Sequence, residues 1–483
     1  MFTSIINEVL MKKILVLFAI LSMTLWGYSQ KAEEYFDAGL IKYNQKDYAG
    51  SITDYTKAIE IDPAYKDAYN NRGLSWYMLK DYTAAMADYN KAIEIDPKYA
   101  RAYFNRALAK SANKDFKGEI NDYDKALEID PKYVKAYKNR GLAKYDLEDY
   151  TGAIADYTKV LEFTPNDADI YYDRGLAQYE LKNYNSAIAD YTRAIEIDPK
   201  NESSYNNRGL AQYELDNYKT AIEDYTKAIE INPEYSKAYN NRGLAKYELK
   251  DYNGAIADYN KVIELKPLSA DAYYNRGLAK GSLQNYAGEI ADYTKAIEIN
   301  PKYSKAYYNR GLSKYDMKDY NGANADYTKA IELNPQYADA YNNRGLTNYE
   351  TEKYNSAIAD YNKAIEINPK YAKAYYNRGL AKGKLQDSKG EIADYTKAIE
   401  INPKYDRAYF NRGVVKYDQK DYTGAITDYT MAIEINANYI DAYYNRALAK
   451  INLGLKDSGC LDFKKALELG DTEVQSMIDK YCK

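Results

Sequence analysis

The residues able to do chemistry in this chain form a narrow set. Among 483 residues there are 60 Tyr, two Cys and no His. Without imidazole there is no His general base, no Ser-His or Cys-His nucleophile pair and no His-bearing zinc site. Two thiols are too few for a thiolate zinc cage or an iron-sulfur cluster. Gly-rich phosphate loops, paired catalytic carboxylates and nucleophile motifs are also missing, so no catalysis, metal or cofactor is expected. What remains is recognition chemistry. Arg and Asp can pair through two parallel bonds, Asn offers both donor and acceptor, and Tyr is an apolar ring with a polar tip. The formal net charge of -4 speaks against a nucleic-acid partner, which calls for a basic domain.

These residues recur at one spacing. The 11 prolines run from Pro63 to Pro403 in steps of 34, and a fixed period of that size marks stacked supersecondary units. With Pro at position 32, thirteen repeats follow: 32–65, 66–99, 100–133, 134–167, 168–201, 202–235, 236–269, 270–303, 304–337, 338–371, 372–405, 406–439 and 440–473. In 236–269, Tyr239, Gly243 and Tyr247 form one helical stripe, and Tyr252, Ala255, Ile256, Tyr259 and Ile263 form a second. Asp251 stands between them where an N-cap belongs, and Asp or Asn holds that position 16 in eleven repeats. Pro bars the residue before it from the helical region and ends the second helix. Each repeat is therefore predicted to be a helical hairpin that must stack on its neighbours to bury its faces.

The pattern of aromatic 4, Gly or Ala 8, Ala 20, aromatic 24, Ala 27 and Pro 32 resembles the tetratricopeptide repeat family. Position 4 is Tyr throughout, Tyr35 to Tyr443; position 8 is Gly in eleven repeats and Ala107 or Ala447 in two; position 24 is Tyr in twelve and Phe463 in the last. The resemblance implies an all-α, right-handed superhelical solenoid. Its first helices would line a concave groove through positions 2, 5, 9, 12 and 13. The chain departs from the family at position 15, often Gly there, but mostly Lys, Glu or Gln here. By resemblance the chain is a non-enzymatic scaffold for a protein or extended peptide. Envelope glycan or peptidoglycan binding on aromatic platforms is the alternative, and an enzyme a remote third.

Groove candidates follow from the same positions. Position 5 supplies the rings Phe36, Phe104, Tyr172, Tyr274, Tyr308, Tyr376, Phe410 and Tyr444. Position 6 supplies Asn71, Asn207, Asn241, Asn275, Asn309 and Asn343 among others, amides that either bond a peptide backbone or join adjacent first helices. The carboxylate clamp of chaperone-binding family members needs Asn at position 9, where this chain has Leu or Val414, so that clamp is not expected. Position 13 holds Asp146, Glu180, Glu214 and Glu248 in four successive repeats, an acidic patch. Tyr at positions 4, 17 and 24 reads as core packing, each hydroxyl reaching water or the backbone.

Two further patterns are structural. Arg stands at position 7 from Arg72 to Arg446 but is Ala38 in the first repeat, whereas Asp is constant at position 23, Asp54 to Asp462. The missing first Arg predicts pairing with the Asp of the preceding repeat, Asp54 with Arg72 through to Asp428 with Arg446. Glu119, Glu289 and Glu391 at position 20 accompany Ser111, Gly281 and Gly383 at position 12, usually Tyr; the exchange predicts that the two positions touch and conserve volume.

At the ends, Met11-Lys12-Lys13, the apolar run from Ile14 to Trp26 and Gly27-Tyr28-Ser29 read as a cleaved signal peptide over 1–29, with Met11 the better start. Thirteen apolar residues are too few to span a bilayer, so no span is expected after cleavage, and the chain is expected to be exported, periplasmic or extracellular in a bacterium. Val474, Met477, Ile478 and Tyr481 predict a capping helix over 472–483. Cys460 and Cys482 lie equally far either side of Asp471 and are expected to form a disulfide in an oxidising compartment.

Overall fold

The structure, a computed structural model, describes residues 30–482 together with 10, 11, 13–15 and 17. Apart from those positions, the expected leader over 1–29 lies outside the described residues. Every regular element among the described residues is helical. Thirteen helix pairs follow the proline period, from 30–44 with Tyr48–Ile61 to Ile440–Asn452 with Lys456–Glu468. The chain is an all-α helix-turn-helix solenoid. It divides into two compact bodies, Met1–Ala238 and Tyr239–Lys483, each built from the same layers.

The cap residues act as their types require. Asp47, Asp81, Asp115, Asp149, Asp251, Asn285, Asp319, Asp387 and Asp421 each accept the backbone N–H three residues on, filling one orphan donor at the start of the second helix. Asn183 and Asn217 occupy the same position without that bond. At the other end the residue before Pro leaves the helix, as Asp62 does with φ -126° and ψ 93°.

The turn between the helices is made without glycine. Position 15 has positive φ in every repeat, 64° at Lys46 and 62° at Lys114 for example, and only Gly454 is a glycine there. A left-handed non-Gly residue costs about 1–2 kcal/mol, partly offset by the greater unfolded freedom of Gly. Lys114→Gly, at an exposed position, is therefore expected to stabilise by up to about 1 kcal/mol, read as a higher thermal midpoint.

In the body Met1–Ala238, Ala187, Tyr191 and Ala194 at positions 20, 24 and 27 have no exposed surface; in Tyr239–Lys483, Ala323, Tyr327 and Ala330 do the same. Position 8 is small because the position 24 ring lies against it. A Cβ on Gly277 would stand 2.8 Å from Cε1 of Tyr293. The last repeat is closed by a short 3-10 turn, Thr472–Val474, and a helix, Gln475–Tyr481. Fully buried Val474 packs with Phe463 and Ala466, while Met477, Ile478 and Tyr481 surround them. The disulfide between Cys460 and Cys482 is formed. No helix among the described residues is long and apolar enough to cross a membrane.

Candidate binding face on the first helices

The Arg and Asp rows pair, but within repeats rather than between them. Arg72 donates from Nε and Nη2 to Asp88 of its own repeat at 2.8 and 2.7 Å, not to Asp54. Arg446 likewise grips Asp462 at 2.9 and 2.8 Å, not Asp428. The inter-repeat pairing expected from the missing first Arg is thus wrong. Only the third arm crosses: Nη1 of Arg72 donates to Thr56 and that of Arg446 to Thr430, both at position 25 of the preceding repeat. In the first repeat, where position 7 is Ala38, Lys42 serves Asp54 at 2.6 Å. Elsewhere Lys at the same position 11 adds a second cation, as Lys110 does on Asp122 at 2.7 Å. Each guanidinium also lies over the ring at position 4, Arg72 over Tyr69 at 5.5 Å.

The Glu exchange behaves as volume conservation predicts. A Cβ on Gly281 would stand 2.5 Å from Oε1 of Glu289, and Gly383 is as tight against Glu391. The carboxylates then do something the sequence did not indicate. Tyr293 donates its hydroxyl to Glu289 at 3.0 Å and Tyr395 to Glu391 at 2.9 Å, whereas the buried hydroxyls of Tyr191, Tyr225, Tyr327, Tyr361 and Tyr429 have no partner. These hydroxyls reach no backbone partner, because each ring is sealed between helices. Burial also holds the carboxyls of Glu289 and Glu391 above their usual range, with the tyrosine bond pulling the other way. Tyr327→Phe is therefore expected to be neutral or slightly stabilising, whereas Tyr293→Phe should cost about 1.5–3 kcal/mol, the range for a hydrogen bond to a charged group. Denaturant midpoints of the two variants measured side by side check this.

The first helices carry a second, polar row. Asn207 donates to the Tyr172 hydroxyl, Asn309 to Tyr274, Asn343 to Tyr308 and Asn411 to Tyr376, each at 2.9 Å and one repeat apart. Where position 5 is Asn, the same bond runs to an amide, Asn105 to Asn70 at 2.8 Å and, longer, Asn275 to Asn240 at 3.5 Å. Asn71 and Asn241 accept from their own neighbours Asn70 and Asn240. Position 6 thus ties first helix to first helix.

The position 5 rings are held from two sides. Tyr274 meets Tyr293 at 5.7 Å and Tyr303 at 5.0 Å; Phe36, Phe104, Tyr308, Tyr376 and Phe410 each have the same two partners, at positions 24 and 34. Tyr172 packs on Tyr191 and Tyr444 on Phe463. Phe104 is left only 8% exposed. The position 34 tyrosines are site residues that sequence reasoning passed over, although their recurrence in nine repeats was the available signal.

Position 13 is exposed throughout the acidic patch, at Asp146, Glu180, Glu214 and Glu248. Glu214 accepts two long bonds, 3.5 Å each, from Tyr179 and Tyr184 of the preceding repeat. Tyr145 beside Glu180 has its hydroxyl pushed up to about 12, by burial first and the carboxylate second. Two cavities open along the first-helix face of the body Met1–Ala238. One of about 850 Å³ is lined by Asp67, Arg101 and Lys135 at position 2 with Phe104, Tyr99 and Tyr133; the other, of about 550 Å³, lies around Tyr172 and Asp173. Among the described residues no group of three or more Cys, Asp or Glu could hold a metal ion.

Comparison with known proteins agrees with this geometry. The family model described as TPR repeat matches residues 39–80, 141–182, 243–284, 311–352, 348–386 and 415–454. Models described as tetratricopeptide repeat match 67–99, 168–201 and 203–235, 270–303, 372–405 and 440–469, and 88–120 and 224–257. No curated protein matches the chain. Among solved structures, the MamA protein is 28% identical over 36% of this chain and 94% of its own, with a TM-score of 0.34. A tetratricopeptide repeat protein from Parabacteroides merdae is 20% identical over 53% and 98%, with a TM-score of 0.37. Yeast Tom70 is 17% identical over 93% and 99%, also at 0.37. The period, the helix pairs, the small position 8 under its tyrosine and the run of family matches lead to one assignment: the chain belongs to the tetratricopeptide repeat family.

Proposed function

We propose that the protein is a non-enzymatic scaffold that holds an extended peptide or protein segment along its first helices. The observation that carries this reading is the first-helix face itself. Rings and amides at positions 5 and 6 are locked to one another across repeats, while cavities lined by position 2 charges stay open beside them. A preorganised surface of this kind loses little entropy on binding. Peptide is favoured over glycan because a sugar platform needs an open ring face, and six of the eight rings spend their faces on positions 24 and 34.

The same reading places the protein outside the cytosol of a bacterium, in the periplasm or beyond. Support comes from the basic start and apolar run of residues 11–29 and from a disulfide of the kind that persists in oxidising compartments. The test is capture from envelope extract set against co-sedimentation with purified cell-wall polysaccharide. A saturable protein partner is the expected result; retention on polysaccharide alone would overturn the reading.

A further inference from the structure

The amide ladder of the first helices is broken at one step. Between the repeats 134–167 and 168–201, position 5 is Lys138 and position 6 is Asp173, where the array otherwise sets a ring or Asn against Asn. Neither side chain makes a hydrogen bond or ion pair among the described residues, although Lys138 is close enough to act on Asp173 electrostatically. Asp173 is half-buried. Burial pushes its carboxyl up to about 6, Lys138 pulls it back, and Asp169 and Asp167 push it up again. It is a carboxylate short of positive charge.

Two independent features meet at the same step. The cavity of about 550 Å³ is lined by Lys138, Asp169, Tyr172 and Asp173, with Asp198, Lys200 and Glu202 across it. Four carboxylates face two ammonium groups, so the pocket is acidic. One turn on from Lys138, Leu142 is 51% exposed, whereas the other position 9 leucines are half-buried. The helix that brings Lys138 to the pocket thus also presents open apolar surface one turn on.

We propose that this break is a docking pocket for one basic side chain, arginine or lysine, of an extended partner segment. The cation takes the carboxylates of Asp173 and Asp169, and its aliphatic stem lies on Leu142, as long basic side chains do over apolar surface. Lys138 is free to donate to a backbone carbonyl of the same segment. A guanidinium suits the site best, because its planar fork can serve a carboxylate with two bonds. The rest of the face, satisfied by its own ladder, contributes shape; this step contributes charge selection. The proposal rests on the scaffold reading and names which residue of the partner is selected and where.

The test uses the full chain and a labelled, end-blocked pentapeptide of alanine with arginine at its centre, alongside counterparts with norleucine or glutamate there. Fluorescence anisotropy at low salt should give binding of the arginine peptide, at least tenfold weaker binding of the norleucine peptide and none of the glutamate peptide. Asp173→Asn, which installs the residue found at position 6 in eleven repeats, should lose at least tenfold for the arginine peptide with an unchanged thermal midpoint. Lys138→Asn with Asp173→Asn rebuilds an Asn–Asn step like Asn70 with Asn105 and should also lose binding, while melting no lower than the parent. Equal binding of arginine and norleucine peptides, no binding of the arginine peptide at millimolar concentration, or binding unaffected by Asp173→Asn would each overturn the pocket. If the pocket fails while envelope extract still yields a partner, the scaffold stands; if both fail, the scaffold falls with it.

Discussion

Asp428→Ala is expected to destabilise the array by about 3–5 kcal/mol, the cost of leaving a buried ionic partner uncompensated. Asp428 is 1% exposed. It accepts from Arg412 Nε and Nη2 at 3.0 and 2.7 Å and from Lys416 at 2.8 Å, so its removal strands two cations at once. The loss should also spread to the neighbour, since Arg412 Nη1 donates to Thr396 of the preceding repeat at 3.0 Å. A double-mutant cycle decides the partner: Arg412 should couple strongly to Asp428 and weakly to Asp394 one repeat earlier. Stronger coupling to Asp394 would restore the inter-repeat pairing that the geometry replaces.

Loss of the disulfide should be the next largest effect. Opening the loop between Cys460 and Cys482, 22 residues apart, is expected to cost about 3 kcal/mol in the chain-entropy view. A repeat array is coupled chiefly through nearest neighbours, so the cost should stay local. Cys460→Ser with Cys482→Ser, or reduction of the native chain, should lower amide protection in Lys456–Glu468 and Gln475–Tyr481 about a hundredfold, leaving Ala372–Lys384 unchanged. The cap would swing away from Phe463 and Ala466, which it covers. Uniform loss of protection along the chain would mean that the repeats unfold as one unit.

Much of the fold was legible because each local signal has one meaning. Pro recurring at position 32 ends the second helix, and Asp at 16 caps its start, whereas the reason for Gly at 8, the position 24 ring lying against it, came from the structure. The exchange of Tyr with Ala for Gly with Glu was equally readable, since volume must be conserved between touching positions. The Arg–Asp pairing was not. In a strict period, Arg72 stands in the same relation to Asp54 as any Arg to the preceding Asp, so sequence cannot separate own-repeat from neighbour. The bond that does cross repeats runs from Arg72 Nη1 to Thr56, and nothing in the Arg and Asp rows pointed to it. The site was legible by position and not by bonding. Asn207 and Tyr172 were both singled out, yet that they bond each other, and that Lys138 and Asp173 break the preceding step of the same ladder, is visible only in three dimensions.

The most direct test of partner recognition on the first helices is photo-crosslinking from two sites of one body. Benzoylphenylalanine would replace exposed Lys305, at position 2 of a first helix, and Lys329 on the second helix, which is paired with Glu332. With envelope extract, crosslinks to a partner polypeptide should form from position 305 and not from 329. Crosslinks from 329 with none from 305 would place the partner on the second helices and contradict recognition by the first.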